Sequence, residues 1–256
     1  MPTAPALVLL TATITPPSGV PALLRTEPAD RLEDYRRALA FYLHLPPQTV
    51  NRIVFAENSA SDLSVLEALV EERGQGKDVE LLSFYGLDYP VEHGRGVGET
   101  RLIETALKRS DLLGGLGEDA MFWKITGRLQ IRNLERLVAT APVNPRLYAD
   151  FRRFPRPWVD TRVFACTPAG FRSLFSPRVQ RMRQDELASA GYSAPEEWLF
   201  SELLTQRPNG SIVPRLRVEP IIHGYSGFGD DYARPSRRLW SAARGMSRRL
   251  LPGLWI

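Results

Sequence analysis

Stretches with the hydrophobic pattern of strands and helices alternate through the first two thirds of the chain. Residues 7–14 are apolar and partly β-branched, and two prolines follow them, so they are typical of a buried strand. The same patterns predict strands at 52–56, 79–85 and 121–126, and helices at 30–45, 61–72 (capped by Ser61 or Asp62), 97–109 and 133–140. Such alternation predicts an α/β fold whose sheet is mostly parallel in this half.

The second half of the chain is less regular. It predicts a strand at 162–166, a helix at 194–205 and a strand at 213–222. Pro214 and Pro220 favour a position at a sheet edge for the last of these, because an edge tolerates the missing N–H groups. There is no internal repeat and no low-complexity linker, so we expect one domain over 1–233 followed by a tail over 234–256.

Composition narrows the function classes. The 256 residues are 43% hydrophobic and 24% charged, which allows a full core and excludes wholesale disorder. The lone Cys166 excludes a disulfide scaffold and a thiolate zinc cluster and fits a reducing compartment, and three scattered histidines argue against a histidine-rich metal site. The apolar stretch 6–14 is too short to span a membrane, and no Lys or Arg precedes it as in a signal peptide. We therefore expect a soluble cytoplasmic protein.

The positive charge is concentrated in the tail. Residues 234–256 contain six arginines and no acid, and subtracting these from the net charge of +4 leaves −2 on residues 1–233. Within the tail, four apolar residues repeat at helical spacing: Leu239, Ala243, Met246 and Leu250. One interpretation is a basic amphipathic helix lying on an anionic membrane. The other is a terminal helix that packs this apolar stripe on the domain and leaves its arginines in solvent.

Polar residues follow three of the predicted parallel strands, where open α/β sheets bind ligands. Thr11 and Thr13 end the first strand, and Glu57 and Asn58 end the second. Ordinary loop polarity is the alternative explanation.

The fourth strand ends in Lys124, Gly127 and Arg128. Two cations here suit a diphosphate leaving group, since they stabilise the charge that develops as a sugar–phosphate bond breaks. Alternatively, Arg128 forms a surface ion pair and Lys124 extends into solvent.

A glycine-rich segment, 93–99, precedes the third predicted helix and contains Arg95, Gly96 and Glu99. Alternate glycines and a helix start favour close approach of an anion, and a plain flexible turn is the alternative. The spacing is neither the dinucleotide fingerprint nor a P-loop.

Carboxylates near the predicted late helix are candidates for proton transfer. Ser193 and Glu196 have the spacing of a capping box, which gives Glu196 a structural explanation. Glu197 has no such explanation and is a candidate general base. The alternative is that Glu197 is a solvent-exposed acid favoured by the helix dipole. Asp160 and Arg162 form a polar pair with either a structural or a ligand-binding role.

The segment 223–232 is rich in glycine and aromatic residues and contains His223, Asp230 and Asp231. A mobile loop closing over a sugar is one interpretation, and a surface turn is the other. His223 is either a ligand contact or a structural histidine, and two adjacent acids alone are weak support for a divalent ion.

The order of these segments resembles that of bacterial glycosyltransferases of cell-surface polysaccharide synthesis, the lipopolysaccharide O-antigen and capsule type. The similar segments span about residues 6–232: TATITP, IVFAENS, GRGVGE, FWKITGRLQIRNLERLV, DTRVFAC, PEEWLFSELL and PIIHGYSGFGDDY. The most specific part is 124–128 followed by Asn133 and Leu134. The resemblance implies a GT-A-like fold, a nucleotide-sugar donor and a glycan acceptor, and a lipid-linked acceptor would fit a membrane-bound tail.

The resemblance also implies site residues. It places Thr11, Thr13, Glu57 and Asn58 near the nucleoside, and Arg95, Gly96, Lys124 and Arg128 near the diphosphate or sugar. The helix of Glu196 and Glu197 corresponds to the place where inverting members present their base. The full expectation is catalytic Glu197, Glu196 and Arg128, and substrate-binding Thr11, Thr13, Glu57, Asn58, Arg95, Gly96, Glu99, Lys124, Gly127, Asp160, Arg162 and His223.

One departure from the family concerns the metal. Many GT-A enzymes have Asp-x-Asp at the end of the fourth strand, where this chain has Thr126-Gly127-Arg128. An arginine offsets the same leaving-group charge as a metal ion, so we expect metal independence and no cofactor, with Asp230 and Asp231 as the exception to test.

Three other functions stay open. A nucleotidyl or phosphoryl transferase fits the same sheet but normally needs Mg²⁺ held by carboxylates. The arginine-rich tail also fits a nucleic-acid-binding protein or a catalytically inactive membrane adaptor. The preferred expectation is a transferase without a nucleic-acid partner, peripheral at the inner face of the cytoplasmic membrane.

Overall fold

The computed structural model describes residues 4–20, 23–90, 93–143, 145–179, 183–192, 194–205, 211–227, 229–251 and 253–256. Its strands are β1 (Ala6–Ala12), β2 (Val50–Glu57), β3 (Asp78–Ser83), β4 (Phe122–Thr126), β5 (Gln130–Ile131), β6 (Leu147–Arg152), β7 (Trp158–Cys166), β8 (Ile212–Val213) and β9 (Ile222–His223). Its helices are α1 (Pro28–His44), α2 (Ser64–Arg73), α3 (Gly94–Arg109), α4 (Asp111–Gly114), α5 (Leu134–Ala139), α6 (Pro168–Leu174), α7 (Ser176–Val179), α8 (Gln184–Ser189), α9 (Pro195–Leu204) and α10 (Pro235–Leu250).

Seven strands form one sheet in the order β3-β2-β1-β4-β7-β6-β8. Strands β3, β2, β1 and β4 are parallel, whereas β7 is antiparallel to both β4 and β6. Strands β5 and β9 form a separate antiparallel pair. The structure confirms the expected α/β fold with a mixed, mostly parallel sheet flanked by helices.

The core consists of two apolar layers, one on each face of the sheet. Helices α3, α6 and α9 cover one face, where Leu7, Phe122 and Phe164 point, and helices α1, α2 and α5 cover the other. Alternate residues of β1 belong to opposite layers, which explains why this strand is apolar throughout.

The strands differ from the predictions in two places. Strand β6 has no counterpart among the predictions, because Asp150 and Arg152 interrupt its apolar pattern, although both are buried as partners of one another. The predicted edge strand over 213–222 is confirmed only at its two ends: pairing with β6 stops at Val213, before Pro214, and residues 222–223 pair with β5 instead.

Two helix starts also differ. Helix α2 begins at Ser64, and Ser61 is not its cap; Asp62 accepts a hydrogen bond from the Ser64 N–H at 3.1 Å. Helix α3 begins at Gly94, three residues earlier than predicted, so the glycine-rich segment is mostly helical.

The C-terminal helix α10 is docked on the domain through its polar side. Arg248 is buried and donates to Glu219 at 2.9 Å and to Asp150 at 2.8 Å. The predicted apolar stripe faces outward instead, with Leu239 73% and Leu250 70% exposed. The interpretation in which this stripe packs on the domain was therefore wrong. In the described part of the chain, no helix combines the length and apolar character required to cross a bilayer.

Candidate functional site

A buried lysine joins three elements beneath the carboxyl end of the parallel strands. Lys124 on β4 has no exposed surface, and its Nζ atom lies 2.5 Å from Oε1 of Glu99 on α3. The ammonium also donates to Thr126 Oγ1 at 3.3 Å and to the Thr161 carbonyl at 2.7 Å. Glu99 accepts in addition from the hydroxyl of Thr11 at 3.1 Å.

These contacts occupy the ammonium group of Lys124 within the protein, and its expected place near a diphosphate or sugar stays a prediction. An ammonium group has three N–H donors, and three oxygen partners occupy them here. Lys124 therefore positions Glu99, Thr126 and Thr161, and its alternative path into solvent is wrong.

The two candidate bases differ in their surroundings. The Oε1 atom of Glu196 lies 3.4 Å from the hydroxyl of Thr161, the same residue whose carbonyl binds Lys124. Glu197 instead pairs with the exposed Arg156, with 3.7 Å between the charged groups. Lys124 and its partners form what we call the strand-end cluster: Thr11, Glu99, Lys124, Thr126 and Thr161. The structure therefore connects Glu196, rather than Glu197, to the strand-end cluster. Ser193 of the predicted capping box lies outside the described residues.

Glu57 and its neighbours hold the loops after β1 and β2 in place. The buried Glu57 carboxylate accepts from the backbone N–H groups of Ile14 (2.9 Å), Ser59 (2.9 Å) and Ser61 (3.0 Å). This carboxylate thus binds protein backbone and shapes the rim.

Thr13 and Asn58 meet across the same two loops. The Thr13 hydroxyl donates to Asn58 Oδ1 at 2.6 Å. The structure therefore brings these two predicted site residues together, whereas their contact with a nucleoside stays a prediction.

Arg128 carries unoccupied donors at the end of β4. Its Nε–H donates to the Tyr225 carbonyl at 2.9 Å, and within the described ranges its two terminal amino groups have no hydrogen-bond partner. The preceding Gly127 donates its N–H to the Thr11 carbonyl at 2.8 Å, and a Cβ there would lie 2.7 Å from that oxygen. Gly127 is therefore needed for the close approach of the two strand ends.

A second guanidinium, that of Arg31, lies near Arg128. Arg31 donates to the Thr13 carbonyl at 2.7 Å and to the Tyr35 hydroxyl at 3.2 Å. Burial, and then the neighbouring positive charge of Arg128, lower the pKa of Arg31. Two nearby guanidinium groups create a local excess of positive charge, which favours an anion.

The glycine-rich segment does not form the expected turn. Gly96 lies in the first turns of α3, where its carbonyl accepts from the Thr100 hydroxyl at 3.0 Å. A Cβ at Gly98 would lie 2.0 Å from the Tyr89 hydroxyl, so this glycine serves helix packing. The side chain of Arg95 lies outside the described residues, and an anion at this helix start stays a prediction.

Asp160 and Arg162 bind each other. The buried Asp160 carboxylate accepts from the Arg162 guanidinium at 2.8 and 2.5 Å and from the Arg162 backbone N–H at 3.1 Å, while Arg152 donates to it at 2.9 Å. Arg162 and His223 line a cavity beside α10. Thr161, between Asp160 and Arg162, contacts Glu196 of α9 instead.

The adjacent acids Asp230 and Asp231 have separate partners. Asp230 pairs with Arg237 at 3.3 Å, and Asp231 accepts from the Ala233 N–H at 2.8 Å. Across the described ranges, no group of three or more His, Cys, Asp or Glu side chains is placed to hold a metal ion. Metal independence stays a prediction.

The sequence analysis missed Arg31, Thr161 and Tyr225. Arg31 looked like an ordinary helix arginine, and the only available signal was its position one helical turn before Tyr35, whose hydroxyl it contacts. Tyr225 binds Arg128 and Thr161 binds Lys124 through backbone carbonyls, which no residue type reveals, and the contact of the Thr161 hydroxyl with Glu196 depends on the packing of α9.

Comparisons with known proteins give remote structural similarity only. The sequence matches no protein-family model and no curated protein. One similar solved structure is apo WbbM, a bifunctional glycosyltransferase, with 12% identity and a TM-score of 0.44, covering 96% of this chain and 52% of that chain. The chain thus spans about half the length of WbbM.

Two further structures are similar at the same level. Apo mouse xyloside xylosyltransferase 1 has 12% identity and a TM-score of 0.45, covering 83% of this chain and 85% of that chain. A 4-diphosphocytidyl-2C-methyl-D-erythritol synthase has 9% identity and a TM-score of 0.42, covering 93% and 97%. The fold assignment rests on the strand order of the present chain.

Proposed function

We propose that the protein is a GT-A-like glycosyltransferase that moves a sugar from a nucleotide-sugar donor to a hydroxyl of a glycan. The observation that carries the proposal is Arg128, which presents unoccupied guanidinium donors beside Arg31 at the carboxyl end of β4. In open α/β sheets, this edge is where ligands bind. A diphosphate there offsets the paired positive charges.

The residues have separate roles in the transfer. Glu196 accepts the proton of the acceptor hydroxyl, whose oxygen forms the new bond to the anomeric carbon of the sugar. The bond from that carbon to the diphosphate breaks, and the nucleoside diphosphate leaves with its electron pair, stabilised by Arg128. Because attack and departure occur on opposite sides, the anomeric configuration inverts. Lys124 and Glu99 position the strand ends around the reacting groups.

The donor charge is neutralised by arginine in this proposal. Thr126, Gly127 and Arg128 occupy the strand end where an Asp-x-Asp motif would hold a metal. A guanidinium bound to a diphosphate offers two parallel N–H donors, so it replaces both the charge and part of the orientation that a metal supplies.

A role in bacterial surface polysaccharide synthesis is the finer part of the proposal. Its support is the order of the sequence segments, and the outward apolar stripe of α10 suits a peripheral position on the inner face of the cytoplasmic membrane.

The experiment is thermal unfolding against a panel of nucleotide sugars and free nucleotides, each with and without EDTA. A ligand that binds only the native state raises Tm, so the acceptor need not be known. We expect one nucleotide diphosphate and its sugars to raise Tm equally in both buffers. Arg128→Ala, which removes the unoccupied donors, should lose this shift. Absence of any nucleotide-dependent shift in the unaltered protein would overturn the proposal.

A further inference from the structure

A large cavity lies between α10 and the segment 217–223. Its volume is about 990 Å³. Among the described residues lining it are six arginines: Arg136, Arg162, Arg217, Arg237, Arg244 and Arg249. The carboxylate in this lining is Glu219, which binds Arg244 and Arg248. The arginine-lined cavity, as we call it, is therefore concave and strongly basic.

The carboxylates in and behind the wall of the arginine-lined cavity do not neutralise its arginines. Three buried carboxylates, Asp150, Asp160 and Glu219, contact four guanidinium groups, those of Arg152, Arg162, Arg244 and Arg248. The wall thus has one more positive than negative charge. Burial, followed by repulsion from Arg152, lowers the pKa of Arg244.

Three arginines of the lining have no carboxylate partner in the described part of the chain: Arg136, Arg217 and Arg249. Arg217 donates to the Thr140 carbonyl at 3.0 Å, whereas the guanidinium groups of Arg136 on α5 and Arg249 on α10 have no hydrogen-bond partner among the described residues. A guanidinium group donates two parallel N–H bonds to two oxygens of one phosphate, so a phosphate or diphosphate in the cavity would offset the excess charge.

The outer lip of the cavity is apolar. Met246 and Leu250 line the cavity and are 60% and 70% exposed, and Trp240, also in the lining, is 59% exposed. Leu239 continues this stripe along the outward face of α10, opposite the inward Arg248. One helix thus has arginines towards the cavity and apolar side chains towards the surroundings.

We propose that the arginine-lined cavity binds the phosphate or diphosphate group of a lipid, whose hydrocarbon chain lies along the apolar stripe of α10. The pairing of a basic cavity with an apolar lip matches an amphiphile with an anionic head. Trp240 at this boundary has the position that tryptophan prefers between headgroups and hydrocarbon. The assignment of this lipid as the carrier of the acceptor glycan rests on the proposed function, whereas lipid binding by the arginine-lined cavity does not.

The first arm tests the anion. Calorimetric titration with pyrophosphate is done in protein carrying Arg128→Ala, so that the proposed donor site does not contribute. It compares this protein with the same protein carrying Arg136→Ala/Arg249→Ala in addition, which breaks no ion pair of the described residues. We expect binding at least about tenfold weaker in this cavity variant, as for the loss of charge-assisted hydrogen bonds. The control Arg36→Ala/Arg37→Ala in the same background removes two positive charges from the exposed side of α1 and should bind pyrophosphate normally. Equal affinity of the cavity variant and the control would overturn the proposal.

The second arm tests the lipid. Farnesyl diphosphate should bind more tightly than pyrophosphate, and farnesol should bind weakly. Leu239→Gln/Leu250→Gln should abolish the preference for farnesyl diphosphate while leaving pyrophosphate affinity unchanged. The control Val65→Gln alters an exposed apolar residue of α2 and should keep the preference. Equal binding of farnesyl diphosphate and pyrophosphate by the unaltered protein would overturn the lipid assignment.

The third arm distinguishes two sources of a lipid phosphate group, a membrane phospholipid and a lipid diphosphate. Vesicles of phosphatidylcholine with and without phosphatidylglycerol are sedimented with the protein, and farnesyl diphosphate is added as competitor. If farnesyl diphosphate releases the protein from anionic vesicles, both lipids bind in the arginine-lined cavity. If vesicle binding persists while farnesyl diphosphate is bound, the vesicles bind elsewhere and the cavity is the site of the lipid diphosphate. Binding to neither lipid overturns the proposal. Because nucleotide-dependent Tm shifts should survive Arg136→Ala/Arg249→Ala when Arg128 is retained, failure here is distinguishable from failure of the proposed function.

Discussion

The Nζ atom of Lys124 lies 2.5 Å from Oε1 of Glu99, and the lysine is completely enclosed. This contact ties α3 to β4, and the Thr11 hydroxyl extends it to β1. A buried ion pair is costly to form, and its worth lies in the geometry that it fixes when every donor is satisfied. Here it fixes the carboxyl ends of two central strands, on which the proposed site depends.

Removing one partner of this pair should destabilise the protein. Lys124→Met leaves the Glu99 carboxylate without its cation, but the Glu99 side chain is 32% exposed and stays partly hydrated, so we expect a loss of about 2 kcal/mol in the free energy of unfolding. Urea denaturation measures it.

A double-mutant cycle with Glu99→Gln provides the control. Because Lys124→Met/Glu99→Gln no longer has the uncompensated carboxylate, it should lose less than the sum of the two single changes. Strict additivity would contradict the coupling. The exposed pair of Glu72 and Arg73 serves as reference, since Arg73→Ala should cost at most about 1 kcal/mol.

Arg128 should matter for turnover and not for the fold. Its terminal amino groups have no partner among the described residues, so Arg128→Ala loses little native contact. If it stabilises the leaving diphosphate, kcat should fall by about 10²-fold or more. Steady-state transfer with the donor found by thermal unfolding measures this.

Arg128→Lys is the matched variant for this residue. It keeps the charge but loses the forked donors, and its kcat should lie between those of the unaltered protein and Arg128→Ala. Unchanged kcat in Arg128→Ala, with an unchanged melting curve, would remove the residue from the mechanism.

The alternation of strands and helices in the first half could be predicted because the apolar residues recur there at strand or helix spacing and form the buried side of each element. Strand β1 and helix α1 are examples: Tyr35, Leu39 and Tyr42 all face the core, as their spacing predicted. Strand β6 could not be predicted, since its buried Asp150 and Arg152 look like surface residues until their partners are known.

The candidate site was predictable in position and less so in detail. Polar residues after β1, β2 and β4 do meet at one edge of the sheet, as parallel strands require. The inward orientation of Lys124 and the link from Thr161 to Glu196 depend on tertiary contacts. The outward stripe of α10 was also unforeseeable, because its orientation is set by the carboxylates that bind Arg248.

The two adjacent glutamates of α9 should differ in activity. Glu196 contacts Thr161 in the strand-end cluster, whereas Glu197 pairs with Arg156. Glu196→Gln retains shape but not basicity, so we expect transfer to fall by about 10²-fold or more. Glu197→Gln, the neighbouring control, should retain most activity. The reverse order of effects would assign the base to Glu197, and the pH profile of kcat would confirm which carboxylate titrates.

Chelation should leave sugar transfer unchanged. In the proposed function Arg128 offsets the diphosphate charge without a metal, and the carboxylates of Asp230 and Asp231 have separate partners. Initial rates with EDTA and with added Mn²⁺ should agree within error. A rate that is lost with EDTA and restored by Mn²⁺ would contradict metal independence, and Asp230→Asn and Asp231→Asn would then locate the ligand.

Asp160 should make stability depend on pH in the acid range. Burial alone would raise the pKa of its carboxyl, but Arg162 and Arg152 outweigh burial and lower the pKa. The unfolded carboxyl has a pKa of about 3.9, so the folded protein binds fewer protons, and this stabilisation is present above that value and lost as pH falls below it.

Asp160→Asn provides the test of this linkage. At pH 7 we expect it to reduce the free energy of unfolding by about 3 kcal/mol, since it leaves Arg162 without its anion and removes one of the two carboxylates that contact Arg152. Urea denaturation between pH 7 and pH 3 should show this deficit beginning to narrow below about pH 4, because the unfolded carboxyl then binds a proton while the folded one, whose pKa is lowered, stays ionised. The control Asp119→Asn, at an exposed position, should follow the unaltered protein throughout. A deficit that stays constant with pH would show that Asp160 acts through shape and hydrogen bonding, not through its charge.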